Sequence, residues 1–336
     1  MRCARPAPVL IVLSATSGRA FAAPPMSYLS SAGRMGDAIA PLTWGLLGVA
    51  IAVVVIISAL VIVGILRRGR GGAVSDTPIG ETRATSWIGI GVGLSTLVLI
   101  GLVVWTSLTM ASIANPPSEP ALTIEVRGHQ WWWEFIYHGE KPNQIFETAN
   151  EIHIPVGKPV RFAVTGMDVI HSFWVPSLGG KTETIPGQVN VTWLQADRPG
   201  VYRGECSEYC GEQHAHMALA VFADAPDSFE AWRQAQLRDA PAPASDQTRF
   251  GEQSFIQHCG VCHTVRGSPA AGRVGPDLTH LMSRSTIAAG VLPNNPGYLS
   301  GWIADPQNIK PGCLMPDLAI SGPDLASIRS FLLTLK

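Results

Sequence analysis

The sequence has 336 residues, of which 46% are hydrophobic and only 15% are charged, and this composition favours a membrane protein with two or three domains. The formal net charge of -1 excludes the overall basic field that nucleic-acid binding requires. Apolar and polar stretches are sharply separated along the chain, so the structure of each segment is predicted separately.

The N-terminal residues have the pattern of an export signal. Arg2 and Arg5 precede a short apolar stretch at residues 9–13, and residues 20–22 form an Ala-x-Ala cleavage pattern. We therefore predict a cleaved signal peptide at residues 1–23, and the alternative is an N-terminus that is never cut. Cleavage leaves five of the six cysteines in an oxidising compartment, where thiols form disulfides unless a metal or haem binds them.

Two apolar runs predict a transmembrane hairpin within residues 24–115. The predicted helices, at about residues 42–66 and 87–113, are long enough to cross a hydrocarbon core of about 30 Å. The arginines that follow the first run place the connection in the cytoplasm and the rest of the chain outside. These arginines are Arg67, Arg68 and Arg70. A buried soluble hairpin is the alternative, but both runs exceed what a small core needs.

Short β-rich runs predict an all-β domain over residues 116–236, with glycines and prolines between the runs as in an antiparallel sandwich or barrel. The runs are residues 122–126, 131–137, 152–154, 160–165, 189–194, 201–204 and 218–222. Residues 237–247 contain two alternating prolines and little to bury, so they predict a semi-stiff linker. A further domain is predicted at residues 248–336, closing with a helix that Ser321 caps.

Residues 206–217 combine two thiols, an imidazole and a thioether, and therefore predict a metal-binding loop. Such ligands suit copper in a thiolate site better than magnesium or calcium. Cys206 and Cys210 are four residues apart, so one turn of loop can direct both thiolates to two bridged copper ions. The remaining predicted donors are the imidazoles of His171 and His214, the thioether of Met217 and the Glu208 carbonyl.

Two other interpretations of this loop are a Cys206–Cys210 disulfide and a tetrahedral zinc site. The zinc would be bound by both cysteines, His171 and His214, whereas Met217 favours copper. The remaining histidines of the β-rich region are interpreted as surface or structural groups. These are His129, His138, His153 and His216.

The sequence Cys259-x-x-Cys262-His263 has the spacing for two thioether bonds to haem, with His263 as the proximal ligand. Met315, in a loop bounded by prolines, is the predicted sixth ligand, and Met282 is the alternative. Other interpretations of the cysteine pair are a redox disulfide or half of a zinc site. We interpret Cys313 as a buried apolar residue without a further role.

The copper loop and three other segments resemble subunit II of cytochrome c oxidase. The matching segments are residues 128–133, 171–176, 181–187 and the paired apolar runs, and the resemblance covers roughly residues 26–235. It implies a cupredoxin-like Greek-key domain that stands outside the membrane on a two-helix anchor. The copper ligands that it implies are His171, Cys206, Cys210, His214, Met217 and the Glu208 carbonyl.

The same resemblance implies roles for two further groups. The Glu208 carboxylate matches a ligand of a magnesium ion at the interface with subunit I. Trp131 matches the aromatic residue where electrons enter from cytochrome c, although ordinary sheet packing explains such a residue equally well. Two positions depart from the family. Trp132 stands where a Tyr is usual, and Ala84 stands where many members have a Glu at the mouth of a proton path, with Glu81 nearby.

Residues 246–336 resemble a small all-α class I cytochrome c, including residues 275–278 after the haem motif. Subunit II with such a domain fused at its C-terminus resembles the caa-type oxidases. The resemblance predicts the electron-input subunit of a proton-pumping terminal oxidase. Electrons would pass from a cytochrome c-type donor through haem c and binuclear copper A to haem in subunit I, where oxygen is reduced to water.

This function predicts a two-pass protein of the bacterial inner membrane, with the copper and haem domains on the periplasmic side. Its partners would be subunit I, further oxidase subunits and cytochrome c or another external donor, but no nucleic acid. The chain itself would bind no oxygen and carry no catalytic residue. The alternatives are an electron-input subunit of a nitric oxide reductase and a membrane-tethered carrier that acts alone.

Overall fold

The computed structural model describes residues 26–68 and 81–336, without the side chains of residues 68 and 81–84. The predicted signal peptide at residues 1–23 and Arg70 lie outside the described residues, and so do the side chains of Glu81 and Ala84. The described chain forms two long helices, then two five-stranded sheets, and then a mainly helical C-terminal domain.

The two long helices, α1 (Arg34–Arg68) and α2 (Glu81–Ile113), contain the predicted apolar runs. Both are long and apolar enough to cross a membrane, and most of their apolar side chains are exposed on the chain alone. The two helices pack closely where a Cβ at Gly45 would lie only 2.4 Å from Trp105. Exposed apolar faces of this length are suited to contact with lipid or with other transmembrane helices.

The ends of this helix pair are attached to the β-domain. Before α1, Ala32 N donates a hydrogen bond to Ser177 O at 2.8 Å, and Asp197 N donates to Ala32 O at 2.9 Å. At the end of α2, Trp193 Nε1 donates to Ile113 O at 2.8 Å. The start of the first helix and the end of the second therefore meet the same face of the β-domain.

Ten strands form the β-domain as two sheets, in the orders β3-β2-β1-β5-β8 and β4-β10-β9-β6-β7. The strands are β1 (Thr123–His129), β2 (Trp132–Tyr137), β3 (Phe146–Ala149), β4 (Glu151–Pro155), β5 (Val160–Gly166), β6 (His171–Trp174), β7 (Thr182–Thr184), β8 (Asn190–Leu194), β9 (Gly200–Cys206) and β10 (Ala218–Asp224). The predicted all-β sandwich is confirmed. A purely antiparallel arrangement is wrong, because β1 pairs with β5 and β4 with β10 in parallel.

The strand pattern was predicted except for β3, β6 and β7. Each of these has only three or four residues, too few to show an alternation of apolar and polar side chains. Aromatic rings fill the space between the sheets: Phe173 lies 5.9 Å from Trp133 and 5.4 Å from Phe162, measured between ring centroids. Because β6 carries both Phe173 and His171, this packed core fixes the position of a predicted copper ligand.

The C-terminal part is mainly helical. Its elements are α3 (Pro226–Gln236), α4 (Asp246–His258), the short pair β11 (Thr286–Ile287) and β12 (Leu292–Pro293), α5 (Pro296–Ala304), α6 (Pro306–Ile309) and α7 (Gly322–Leu332). The α3 helix lies on the β-domain, where Trp232 stacks on His153 at 4.1 Å. The predicted cap is confirmed, since Asp324 N donates to Ser321 Oγ at 3.3 Å.

The segment predicted as a linker, residues 237–247, lies partly against the C-terminal domain. Ala240 N donates to Arg266 O at 2.9 Å. The ring nitrogen His280 Nε2 lies 3.0 Å from Arg238 O, within hydrogen-bond distance. The first residues of this segment are thus held by the helical domain, which restricts the motion that a free linker would allow.

Candidate copper and haem sites

The predicted copper loop connects β9 to β10 at one end of the sandwich. Its two ends are joined by a hydrogen bond from Cys206 N to Met217 O at 3.0 Å. His171, at the start of β6, reaches the loop because β6 pairs with β9 in register Phe173 to Cys206. A neighbouring strand thus supplies the one donor that the loop lacks.

The predicted donors converge in a buried cluster. The Cys206 and Cys210 sulfurs are 3.8 Å apart, and Cys206 Sγ lies 4.0 Å from His171 Nδ1 and 3.2 Å from Glu208 O. On the other side, Cys210 Sγ lies 3.5 Å from His214 Nδ1 and 3.9 Å from Met217 Sδ. Each sulfur therefore has its own imidazole and its own weaker third donor, which is the arrangement that two bridged metal ions need.

The chemistry of this donor set fits copper. Both cysteines are free, and the sulfurs are much farther apart than the roughly 2 Å of a disulfide bond. A tetrahedral zinc ion would use the cysteines and histidines but not Met217, which is completely buried beside Cys210. Thiolates, imidazoles and a buried thioether together are the soft and borderline ligands of copper.

The two thiols differ in their acidity. The hydrogen bond from the Cys210 thiol is the largest of the contacts that lower the pKa of Cys206, to about 3. The same contact raises the pKa of Cys210, because a second thiolate would stand beside the first in a buried place. The cluster therefore holds one thiolate readily, and a bound cation would favour loss of the second proton.

Asp168, which was not among the residues predicted from the sequence, orients the predicted ligand His171. His171 Nε2 donates to Asp168 Oδ1 at 2.7 Å, so the other ring nitrogen, Nδ1, is directed at Cys206. Burial opposes a charge on His171, but the bond to Asp168 raises the pKa of this imidazole. An acidic residue three positions before a ligand histidine was the available signal. Such a partner fixes the tautomer and orientation of a metal-binding imidazole.

Glu208 offers two separate groups. Its backbone carbonyl lies against Cys206 Sγ, at a distance of 3.2 Å. Its side chain is half-buried, and among the contacts of the described residues the carboxylate makes no hydrogen bond or ion pair. The carbonyl therefore faces the cluster of predicted metal donors, whereas the carboxylate has no polar contact among the described residues.

A cavity of about 260 Å³ contains all of the predicted haem ligands. Its lining includes Cys259, Cys262, His263 and Met315, whereas Met282 is not among the lining residues. Burial raises the pKa of the Cys259 thiol to about 11. A mainly apolar cavity with these four side chains suits a covalently attached haem.

His263 is held in the orientation of a ligand. Its Nδ1 donates to Pro276 O at 2.8 Å, which leaves Nε2 without a proton and free to bind iron. Burial lowers the pKa of His263, and a neutral imidazole is the form that binds a metal. A Cβ at Gly275 would lie 2.6 Å from His263 Cε1, so glycine leaves the space that the ring occupies.

The loop of Met315 is organised by Gln307, a residue that was not predicted from the sequence to have a role at this site. Gln307 Nε2 donates to Cys313 O at 2.8 Å and to Met315 O at 2.7 Å, while Gly312 N donates to Gln307 Oε1 at 3.0 Å. The interpretation of Cys313 as a buried apolar residue is wrong, because it is half-buried and lines the cavity.

Trp131 lies between the two predicted sites. Its indole Nε1 donates to Cys210 O at 3.0 Å, and the residue also lines the cavity of the predicted haem ligands. Only 8% of Trp131 is exposed, so the residue is packed as well as connected to both sites. The remaining histidines have structural partners: His129 stacks on Trp132, and the others contact Glu125, Asp224 and Gln213.

Two family descriptions match separate parts of the chain. Residues 138–223 match "Cytochrome C oxidase subunit II, periplasmic domain", and residues 249–336 match "Cytochrome c". The first match contains the predicted copper donors and the second contains the haem motif. Together the two families imply copper A and haem c as cofactors.

Two relatives that each match 71% of the chain agree with these family matches. The chain is 38% identical over 245 residues to cytochrome c oxidase subunit 2 of Alkalihalophilus pseudofirmus, covering 71% of this chain and 70% of the relative. It is 31% identical over 259 residues to the corresponding protein of Bacillus sp. strain PS3, covering 71% of both.

Solved structures are also similar. The periplasmic domain of subunit II of cytochrome oxidase of Bradyrhizobium japonicum is 36% identical, with a TM-score of 0.33, over 35% of this chain and 95% of that chain. A heme-copper terminal oxidase dimer contains a chain that is 20% identical, with a TM-score of 0.29, over 40% of this chain and 99% of that chain.

Proposed function

Because the chain belongs to the cytochrome c oxidase subunit 2 family, we propose that it carries electrons from an external cytochrome c-type donor, through haem c and binuclear copper A, to haem in subunit I. Family membership makes the chain a membrane-anchored subunit of an oxidoreductase, with a periplasmic domain and a subunit I partner. In the proposal the oxidase pumps protons and reduces oxygen to water on subunit I, so this chain binds no oxygen.

One observation carries the proposal: a single residue, Trp131, is hydrogen-bonded to the copper loop and also lines the cavity of the predicted haem ligands. Its indole nitrogen donates to the carbonyl of Cys210, and the residue belongs to the lining of the cavity that also includes Cys259, Cys262 and His263. Trp131 is buried, so an external protein cannot dock directly on it. Electrons would then enter through the haem domain and reach the copper loop beside Trp131.

The copper pair would be held by the thiolates of Cys206 and Cys210, the imidazoles of His171 and His214, Met217 and the Glu208 carbonyl. When bound, two bridged copper ions supply a one-electron redox couple. The protein keeps the donors buried and in fixed positions, since β6, β9 and the hydrogen bond from His171 to Asp168 restrain them. Fixed donors keep the geometry similar in both redox states, which favours fast electron transfer.

The haem would be attached through Cys259 and Cys262 and bound by His263 and Met315. A methionine ligand raises the haem potential. The donor side of this cavity is framed by apolar residues that are unusually exposed: Val261, Val274 and Leu314. An exposed apolar rim of this kind is suited to brief docking of an external electron donor.

The membrane arrangement completes the proposal. The anchor, residues 24–115, would cross the bacterial inner membrane twice and carry the copper domain (116–236), the linker (237–247) and the haem domain (248–336) on the periplasmic side. The free Glu208 carboxylate would bind magnesium at the interface with subunit I. Further oxidase subunits would contact the exposed apolar faces of α1 and α2.

The test is purification of the full chain with the proteins that accompany it. We expect co-purification of a large multi-helix partner, consumption of oxygen, a c-type haem absorption band, and the hyperfine pattern of one electron shared by two copper nuclei. Consumption of nitric oxide instead of oxygen would assign the chain to a nitric oxide reductase. Stable isolation without a partner would assign it to a carrier that acts alone.

A further inference from the structure

The cytochrome-like domain and the β-domain meet in a defined interface. Ala218 N donates to Ala289 O at 3.1 Å, and Gln213 Nε2 donates to Pro311 O at 2.8 Å. Ser285 donates from both its backbone N and its Oγ to the carboxylate of Glu151, at 3.0 and 2.8 Å. Ala289 also lines the cavity of the predicted haem ligands, and its partner Ala218 directly follows the copper loop.

Lys310 lies at the centre of this interface. Only 3% of the residue is exposed. Its ammonium donates to Trp131 O at 2.6 Å, to His216 O at 2.8 Å and to Ala288 O at 3.3 Å. The first two carbonyls belong to the β-domain and the third to the helical domain, so a single side chain joins both.

The charge of Lys310 makes this contact specific. A buried ammonium is costly unless all of its protons are hydrogen-bonded, and the three carbonyls supply one acceptor for each. Among the described residues, no carboxylate lies within ion-pair distance of Lys310. If the domains separated, the ammonium would lose two of its three partners. Only the docked position therefore satisfies the group away from water.

The acceptors also fix the docked position relative to the predicted sites. Trp131, whose carbonyl accepts from Lys310, donates through its indole to Cys210 O. His216 directly precedes Met217 in the copper loop, and Lys310 lies in the same segment as the predicted haem ligand Met315. A shift of Lys310 would therefore move the two sites relative to each other.

We propose that Lys310 is a positioning residue that clamps the cytochrome domain onto the copper domain, so that the haem cavity stays against Trp131. The domain is then a docked relay and not a mobile carrier on a tether. The role of the clamp in electron transfer rests on the proposed function. The hydrogen bonds of Lys310 do not depend on a bound cofactor.

The test compares Lys310→Met with Lys158→Met, a change of an exposed lysine in the β-domain. Hydrogen exchange of two amides in the full chain gives the readout. The amide of Ala218 is bonded across the interface, whereas that of Ala220 is bonded to Asn150 O inside the β-domain. For Lys310→Met we expect exchange at Ala218 to be faster by about tenfold or more, with Ala220 unchanged, because only the interface opens. Lys158→Met should match the wild type at both amides.

The loaded full-length protein gives a second readout. After rapid reduction of the haem, transfer of one electron to the oxidised copper pair should be slower in Lys310→Met by about tenfold or more, since misplacement of reacting groups has effects of this size. Copper and haem spectra should be unchanged. Lys310→Gln keeps two N–H donors, so the Ala218 amide should be partly protected from exchange in this variant. If Lys310→Met does not fold, comparison of Lys310→Gln with the wild type tests the clamp instead.

The clamp would be overturned if folded Lys310→Met matched the wild type in two measurements. These are the exchange rate of the Ala218 amide and the rate of electron transfer from haem to copper. A wild-type chain that binds neither copper nor haem would overturn the proposed function instead, while the exchange comparison would still decide the role of Lys310.

Discussion

The indole nitrogen of Trp131 donates a 3.0 Å hydrogen bond to the backbone carbonyl of Cys210. The same carbonyl accepts from Gln130 Nε2 at 2.8 Å. Cys210 is therefore held from the side of the haem cavity by two donors that precede β2. This relationship turns a large aromatic residue of the core into a direct neighbour of the predicted copper site.

Replacement of Trp131 by Phe removes this hydrogen bond and keeps an aromatic ring. We expect the free energy of unfolding to fall by about 1 kcal/mol, because Gln130 still satisfies the carbonyl. Electron transfer from haem to copper should slow, while both optical spectra persist. Trp132→Phe is the matched control, since Trp132 lines the same cavity and stacks on His129 instead. Equal rates in the two variants would contradict a role for the bond to Cys210.

The clustering of the predicted copper donors could be foreseen because most of them lie in one short segment, residues 206–217, whose residue types favour copper. The haem motif could be recognised for the same reason, since Cys259, Cys262 and His263 also lie close together in the sequence. The groups that position these ligands could not be found in this way. Lys310 and Trp131 are 179 residues apart in the sequence, and Trp131 and Cys210 are 79 residues apart. Periodicity indicates which face of an element is buried, but not which distant carbonyl a buried donor meets.

Asp168 provides a test of how His171, a predicted copper ligand, is oriented. In Asp168→Ala the His171 Nε2 proton has lost its acceptor, so the ring is free to turn away from Cys206. Copper affinity should fall by about 10- to 100-fold, as for other partners of metal-binding histidines. Copper titration followed by electron paramagnetic resonance measures this effect. The control is Asp239→Ala, which removes an exposed carboxylate. Unchanged copper affinity in Asp168→Ala would show that packing alone orients His171.

Gln307 should determine whether Met315 stays on the haem. Gln307→Ala removes two hydrogen bonds to the carbonyls of Cys313 and Met315 and one from Gly312 N, so the loop loses its internal support. We expect the absorption of the methionine–iron bond to weaken and the haem potential to fall, because methionine ligation raises that potential. Gln253→Ala changes an exposed glutamine of α4 and is the control. A normal potential in Gln307→Ala would contradict this role.

Gly275 is expected to be essential for the position of His263. In Gly275→Ala the new methyl group would lie 2.6 Å from His263 Cε1, so the imidazole must move. Covalent attachment of haem should fall, or the ligand absorption should change, and both are visible in the spectrum of the purified chain. Gly301→Ala is the control, since no atom lies within 4 Å of the added Cβ. Normal haem attachment and an unchanged spectrum in Gly275→Ala would show that the ring has room to adjust.

The stability of the β-domain should depend on pH through His153. Its Nδ1 lies 2.6 Å from Asp224 Oδ2, and its ring stacks on Trp232. Burial opposes the charge, but bonds to Asp224 and Glu151 raise the pKa of His153 above its ordinary value of 6.5. The ionic contact therefore stabilises the fold fully below about pH 6.5 and is lost as pH rises through the raised pKa. Thermal unfolding of the full chain should show Tm falling over this window, with a smaller fall in Asp224→Asn. An equal fall in both proteins would assign the pH dependence to other groups.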